Sequence, residues 1–259
     1  MRVPCLLAIA LLVLLSKALP AQQGARIHMH RSETDATDAF LYEPEIKGPA
    51  VVASPAIILI PDRLGLTEWI KDEAATFSKA GYVVVAIDPY RGQMAPGTEQ
   101  SNDLSQGVSQ SQMQLETRTQ GDLDAAMIFL RKQMNVQQDR IAAVGWGTGA
   151  DAALELATRE PHLRAVVLNE GTWPPRKTSL LTIHAAVLGN FAAPADGHAS
   201  AALRAFKRQL RGPSAKLDLK LYPSATQGFE DPKSANYREA DATDAQQRTS
   251  TFLTHWLKR

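Results

Sequence analysis

Along this chain, short runs of wholly apolar residues alternate with longer stretches whose apolar positions recur at helical spacing. The runs are Ala56 to Ile60, Tyr82 to Ile87, Ile141 to Val144, Ala165 to Leu168, Leu181 to Leu188 and Leu217 to Tyr222. Each is brief and rich in β-branched residues, the pattern of strands covered on both faces. Between them lie Thr67 to Lys79, Thr117 to Gln133, Thr148 to Arg159 and Ala199 to Leu210, long enough for crossover helices, with Ala242 to Leu257 closing the chain. Arg26 to His30 and Ala39 to Tyr42 read as short opening strands. This alternation predicts an α/β fold: one doubly wound, mostly parallel sheet with helices on both faces. Ligands of such sheets bind beyond the carboxyl ends of the strands. The loops to watch are therefore Pro61 to Leu66, Asp88 to Thr98, Gly145 to Ala150, Gly189 to His198 and Ser224 to Asp231.

One segment stands outside this pattern. Arg2 precedes the apolar run Cys5 to Leu15, followed by Ser16-Lys17-Ala18-Leu19-Pro20-Ala21. This reads as a cleavable secretory signal, residues 1–21, because the run is roughly half the ~20 residues of a membrane-spanning helix. A short uncleaved anchor is the competing reading. Residues 22–259 then form one domain, since no repeat, charge block or low-complexity linker divides them. An exported protein, periplasmic or secreted, without a lasting membrane anchor is the expectation.

Composition narrows the picture further. With 44% apolar residues, 16 Gly and 15 Pro among 259, the chain is neither disordered nor collagen-like. The 28 basic residues less Arg2 and Lys17 leave 26, against 27 acidic ones, so there is no steering field towards nucleic acid. The only cysteine is Cys5, and its removal leaves no thiol to form a disulfide in an oxidising compartment. We expect a monomer.

After Ile141 to Val144 comes Gly145-Trp146-Gly147-Thr148-Gly149-Ala150, leading into an apolar helix. The frame is that of a nucleophile elbow, Gly-x-Nuc-x-Gly between strand and helix. The spacing suits neither a dinucleotide-binding nor a P-loop glycine pattern, and glycines serving helix packing alone are the plain alternative. The central residue is Gly147.

Several separated segments, in order, resemble the dienelactone hydrolase family of the α/β-hydrolase fold. They are "AIILIPDRLGL" from Ala56, "YVVVAIDPYRGQMAPGT" from Tyr82, Gly121-Asp122-Leu123-Asp124-Ala125-Ala126, "YPSATQGF" from Tyr222 and the helix from Gln247 to Trp256. The resemblance implies hydrolysis of carboxylic esters or lactones by a Cys or Ser nucleophile, a His base and an orienting Asp, with no cofactor and no metal. Carried over singly, the nucleophile position holds Gly147 and the His position Gln227, while the Asp falls on Asp196 or, ungapped, on Ala195. Glycine cannot form an acyl intermediate, and an amide does not shuttle protons.

The resemblance also implies oxyanion-type backbone N–H donors at Arg63 and Thr148, and pocket residues Asp62, Arg91 and Asp231. Arg91 lies near a family arginine that holds a substrate carboxylate, and Asp231 stands where a second such arginine is expected. For each, a solvated side chain or a structural ion pair is the plain reading. The expectation is a folded hydrolase scaffold with impaired or absent catalysis and a pocket for a small ester, lactone or carboxylate.

Two alternatives stay open. The chain is an active hydrolase using Thr148, with His198 or another base, or it is an interaction protein whose pocket has collapsed. His28 and His30 alternate on an early strand without a third ligand in sequence, and His184 sits in a buried-strand pattern. Asp62, Asp88, Glu230 and Asp231 are candidates to gather at one mouth of the sheet.

Overall fold

A computed structural model describes residues 24–32, 35–45, 53–92, 107–171, 183–192, 201, 203–205, 208 and 217–259. In chain order the elements are β1 (Ala25–Ser32), β2 (Asp35–Tyr42), β3 (Ser54–Ile60), α1 (Glu68–Lys79), β4 (Val83–Ile87), α2 (Gly107–Lys132), β5 (Val136–Trp146), α3 (Thr148–Arg159), β6 (Ala165–Asn169), β7 (Ala186–Ala192), β8 (Leu217–Tyr222) and α4 (Glu239–Leu257). The strands form one eight-stranded sheet in the order β1-β2-β4-β3-β5-β6-β7-β8. β1 and β2 pair antiparallel with each other, and β2 with β4, whereas every pairing from β4 through β8 is parallel.

Period-two side-chain alternation divides the apolar residues between two layers. On β3, Ile58 and Ile60 pack with Leu123 and Leu130 of α2 and Leu154 and Leu156 of α3. Ile57 and Leu59 face the other way, towards Ile70 and Phe77 of α1 and Leu253 and Leu257 of α4. The central strands are therefore buried on both sides, as their unbroken apolar runs predict. α1 begins where Thr67 caps the helix by accepting the Ile70 N–H at 3.3 Å, satisfying one of its free donors.

Three elements differ most from the sequence expectation. β5 begins at Val136 rather than Ile141, because Gln137 to Arg140 extend the strand with polar, partly exposed residues before its apolar run. α2 begins at Gly107, ten residues before Thr117, in a Ser- and Gln-rich stretch that carries no apolar period. The strand expected over Leu181 to Leu188 runs instead from Ala186 to Ala192. Gly189 and Asn190 read as breakers, yet both lie inside it. A Cβ on Gly189 would lie 2.3 Å from the Phe191 ring and 2.5 Å from Leu219, and Asn190 is buried because its side chain bonds other buried groups. His184 consequently lies before the strand and is exposed. The expected signal segment, and most of the helix expected over Ala199 to Leu210, lie outside the described residues. No helix among the described residues is long and apolar enough to cross a membrane.

The glycines flanking the β5–α3 turn have no room for a side chain. A Cβ at Gly145 would meet the Gly149 carbonyl oxygen at 2.2 Å, and one at Gly149 would meet the carbonyl oxygens of Ile60 and Pro61 at 2.4 and 2.5 Å. All of these are backbone atoms, so rotation of a side chain gives no relief. Gly149→Ala is expected to lower unfolding free energy by about 1–3 kcal/mol or more, read from urea denaturation. Unchanged stability would show that α3 does not press against β3 as described.

Candidate functional site at the β5–α3 turn

Gly147 sits at the apex of that turn with φ 51° and ψ −118°, a backbone conformation that strains any L-residue with a side chain. Its position is fixed from both sides. Its N–H donates to the Asn169 carbonyl at 2.9 Å at the tip of β6, and its own carbonyl accepts from Ala150 N at 3.0 Å in the first turn of α3. The bend thus follows from strand pairing and helix initiation, not from any side chain at the apex.

Two groups border the space where a side chain would start. A Cβ built on Gly147 would lie 2.7 Å from Gln227 Nε2 and 3.2 Å from the Cβ of Asp62. The structure therefore brings together Gly147, Gln227 and Asp62 from three distant parts of the sequence. Thr148, next to the apex, is exposed, and the buried Tyr90 phenol lies near it. The Thr148 and Arg63 N–H groups donate to no described residue; the neighbouring Leu64 N–H instead donates to Asp62 Oδ1 at 2.8 Å. Asp196 and His198 lie outside the described residues.

The loop that carries Gln227 is clamped by Glu170. This carboxylate accepts the backbone N–H of Gly228 and, at 2.9 Å, that of Glu230. Glu170 follows β6 with φ 53°, unusual for a residue with a side chain, and its N–H is tied to the Asn190 carbonyl at 2.8 Å. On the far side, Asn236 Nδ2 donates to the Gln227 carbonyl at 2.8 Å. Glu230 is buried and accepts from the Trp146 indole N–H at 3.2 Å, joining this loop to the strand that leads into the elbow. Trp146 in turn meets Trp69 edge-on at 5.5 Å.

The electrostatics are acidic. Burial pushes the carboxyls of Asp62 and Glu170 above their ordinary range, and Asp231 adds repulsion to both. Burial, and then the adjacent Glu170, hold Glu230 well above it, while its Oε1 has no hydrogen-bond partner among the described residues. Burial, then Asp72, pushes Glu73 up to about 7. Of the four acids expected to gather, Asp62, Asp231 and Glu230 belong to this cluster. Asp88 lies apart in function: its Oδ2 accepts the Gly92 N–H at 2.6 Å in the turn after β4.

Arg91 does not stand free to hold a substrate. Its two terminal nitrogens form a fork onto buried Asp122 at 2.8 and 3.0 Å, the structural ion pair that was its plain reading. His28 meets Asp38 on the β1–β2 hairpin, and no group of three or more metal-ligating side chains occurs among the described residues. A separate groove of about 840 Å³ between β8 and α4, lined by Asp218, Arg248, Phe252 and Trp256, contains none of the predicted site residues. Sequence reasoning gave no role to Tyr90, Glu170 or Glu73. Tyr90 lies within a quoted motif, but Glu170 follows a strand without any pattern of its own.

The dienelactone hydrolase family model matches residues 37–257. The chain belongs to the dienelactone hydrolase family. Among curated proteins it is 34% identical over 133 residues to a probable 2-oxo-3-(5-oxofuran-2-ylidene)propanoate lactonase of Bradyrhizobium sp., covering 50% of this chain and 49% of that protein. The chain thus spans about half the length of that relative. It is 24% identical over 216 residues to a Methylorubrum extorquens protein named as a carboxymethylenebutenolidase, covering 79% of this chain and 72% of the other. Among solved structures, a dienelactone hydrolase from Klebsiella pneumoniae subsp. pneumoniae superposes with a TM-score of 0.71 at 21% identity, over 91% of this chain and 99% of that one. The α/β-hydrolase architecture of this family member is thereby established.

The raised carboxyls make stability fall with pH. An unfolded Glu titrates near 4.5, whereas Glu73 keeps its proton to about 7 and Glu230 holds its own well above 4.5 in the folded chain. The folded state binds more protons across this window, so unfolding free energy declines as pH rises from about 4.5 to 7. Glu230→Gln is expected to make that decline shallower and to stabilise the chain more at about pH 8 than at about pH 4. Equal effects at both pH values, in chemical denaturation, would contradict the assignment.

Proposed function

We propose that this family member is an exported binding protein that holds a small carboxylic ester, lactone or carboxylate and does not cleave it. The carrying observation is the Gly147 apex, where Gln227 Nε2 borders the space that a nucleophile would need. A hydrogen atom cannot attack a carbonyl. An amide beside it cannot take up or return a proton near neutral pH. Removing such a triad deletes on the order of 10⁶ in turnover, leaving about 10³ to 10⁴ over water from binding and oxyanion donors.

Support for retained binding comes from the backbone around the apex. The Thr148 and Arg63 N–H groups donate to no described residue, so both are available to a ligand oxygen. The bend that leads into Thr148 is held by strand pairing and the flanking glycines. Export rests on the charge and apolar pattern of residues 1–21, and the mature chain would begin at Gln22.

One observation bears on the competing reading, in which Thr148 is the nucleophile. The Tyr90 phenol lies near Thr148, and burial raises its pKa above that of an ordinary tyrosine. A phenol that keeps its proton at neutral pH is no base for Thr148. The binding reading therefore has the stronger support. With activated esters and dienelactone, purified protein is expected to show turnover within about 10⁴ of the uncatalysed rate, unchanged by Thr148→Ala. Efficient turnover lost in Thr148→Ala, or a fluorophosphonate adduct on Thr148, would contradict it.

A further inference from the structure

The residues beside the Gly147 apex carry donors and charges that bear on the choice of ligand. Gln227 is held by its backbone, through Asn236 on its carbonyl and Glu170 on the next N–H, while its side-chain amide is exposed and bonds to no described residue. Its Nε2 lies next to the Gly147 apex, on the same turn as the Thr148 N–H. That places an uncommitted side-chain donor beside uncommitted backbone donors. Such a set suits a carbonyl oxygen, which accepts hydrogen bonds without bringing a charge.

The surrounding charge is of the opposite kind to that required by a carboxylate. Asp62 contributes its Cβ to the wall of the apex, Glu170 lies behind Gln227, and Asp231 interacts with both carboxylates. Opposing them among the described residues are Arg63, close to Asp62, and Lys233, whose backbone N–H bonds Asp231 and whose charge acts on Glu68. Arg91, the cation that would receive a ligand carboxylate, is occupied by Asp122. A carboxylate binding beside the apex meets the like charge of Asp62, Glu170 and Asp231.

We propose that the Gly147 apex and its neighbours form a selective site for uncharged esters and lactones, with Gln227 Nε2 donating to the ligand carbonyl and Asp62, Glu170 and Asp231 excluding carboxylate-bearing ligands. This rests on the binding reading above and specifies the ligand class for the same site. It assigns Gln227 as a binding residue, in the place where a proton-transferring residue would otherwise stand.

The test compares dienelactone, which carries a carboxylate, with its methyl ester by calorimetric titration of the full mature chain at neutral pH. The methyl ester is expected to bind about tenfold more tightly or better. Gln227→Glu replaces the donor with another acceptor and is expected to weaken ester binding about tenfold or more, with Gln227→Ala intermediate. The double variant Asp62→Asn/Asp231→Asn is expected to bring the two affinities towards parity. Circular dichroism and thermal midpoints confirm that each variant is folded. Equal or tighter binding of dienelactone itself, or ester binding indifferent to Gln227→Glu, would overturn the proposal and leave the binding reading standing. Failure of both probes to bind would overturn both. Rapid turnover of the ester with the preference retained would overturn only the non-hydrolytic reading.

Discussion

The close approach of α3 to the end of β3 governs the geometry of this site. Gly149 lies so near the carbonyl oxygens of Ile60 and Pro61 that no Cβ fits, and Gly145 is equally confined by the Gly149 carbonyl. With both flanks fixed, and with the Gly147 N–H paired to Asn169 across β5 and β6, the intervening backbone has little choice but the bend at φ 51°. The bend is therefore a product of sheet pairing and helix packing. It needs no side chain at the apex, because its causes lie in residues other than the apex. Glycine at the apex removes the strain that a side chain would bring.

A second constraint links this turn to the loop after β8. Glu170 is held in a positive-φ conformation while its carboxylate receives two backbone N–H groups, and Glu230 reaches back to the Trp146 indole. Further out, Asn190 Nδ2 donates to Asn169 Oδ1 at 2.9 Å and to Thr249 Oγ1 at 3.3 Å, joining the tips of β6 and β7 to α4. Buried polar groups of this kind are favourable only when their partners are present. The loop bearing Gln227 is thus placed by a polar framework that does not depend on catalytic side chains. Its placement beside Gly147 also gathers carboxylates in one region, which is why burial and mutual repulsion raise their pKa values together.

Much of the architecture was legible in the sequence because apolar period and burial coincide. Ile57 to Ile60 alternate between two layers, and the runs from Tyr82 and Ala165 fall on strands with both faces covered. The Gly-x-Gly-x-Gly spacing located the turn, and the in-order motifs located Gln227 and Asp62 beside it. β7 was misplaced because Gly189 and Asn190 look like a turn when read singly. Only their neighbours in space, the Phe191 ring and the Asn169 and Thr249 side chains, explain them. Glu170 was missed for the same reason, since its role comes from N–H groups about sixty positions away in the chain. Arg91 illustrates the converse: a motif position suggested a ligand contact, while its bond to Asp122 lies across a separation that no local pattern records.

The central claim is that an unrelaxed elbow persists around a residue with no side chain, and the stability of Gly147→Ala measures this most directly. Held at φ 51° and ψ −118°, an alanine is expected to lower unfolding free energy by about 1–3 kcal/mol. A gain of about 0.4–1 kcal/mol, the effect of replacing glycine where the backbone is relaxed, would contradict it.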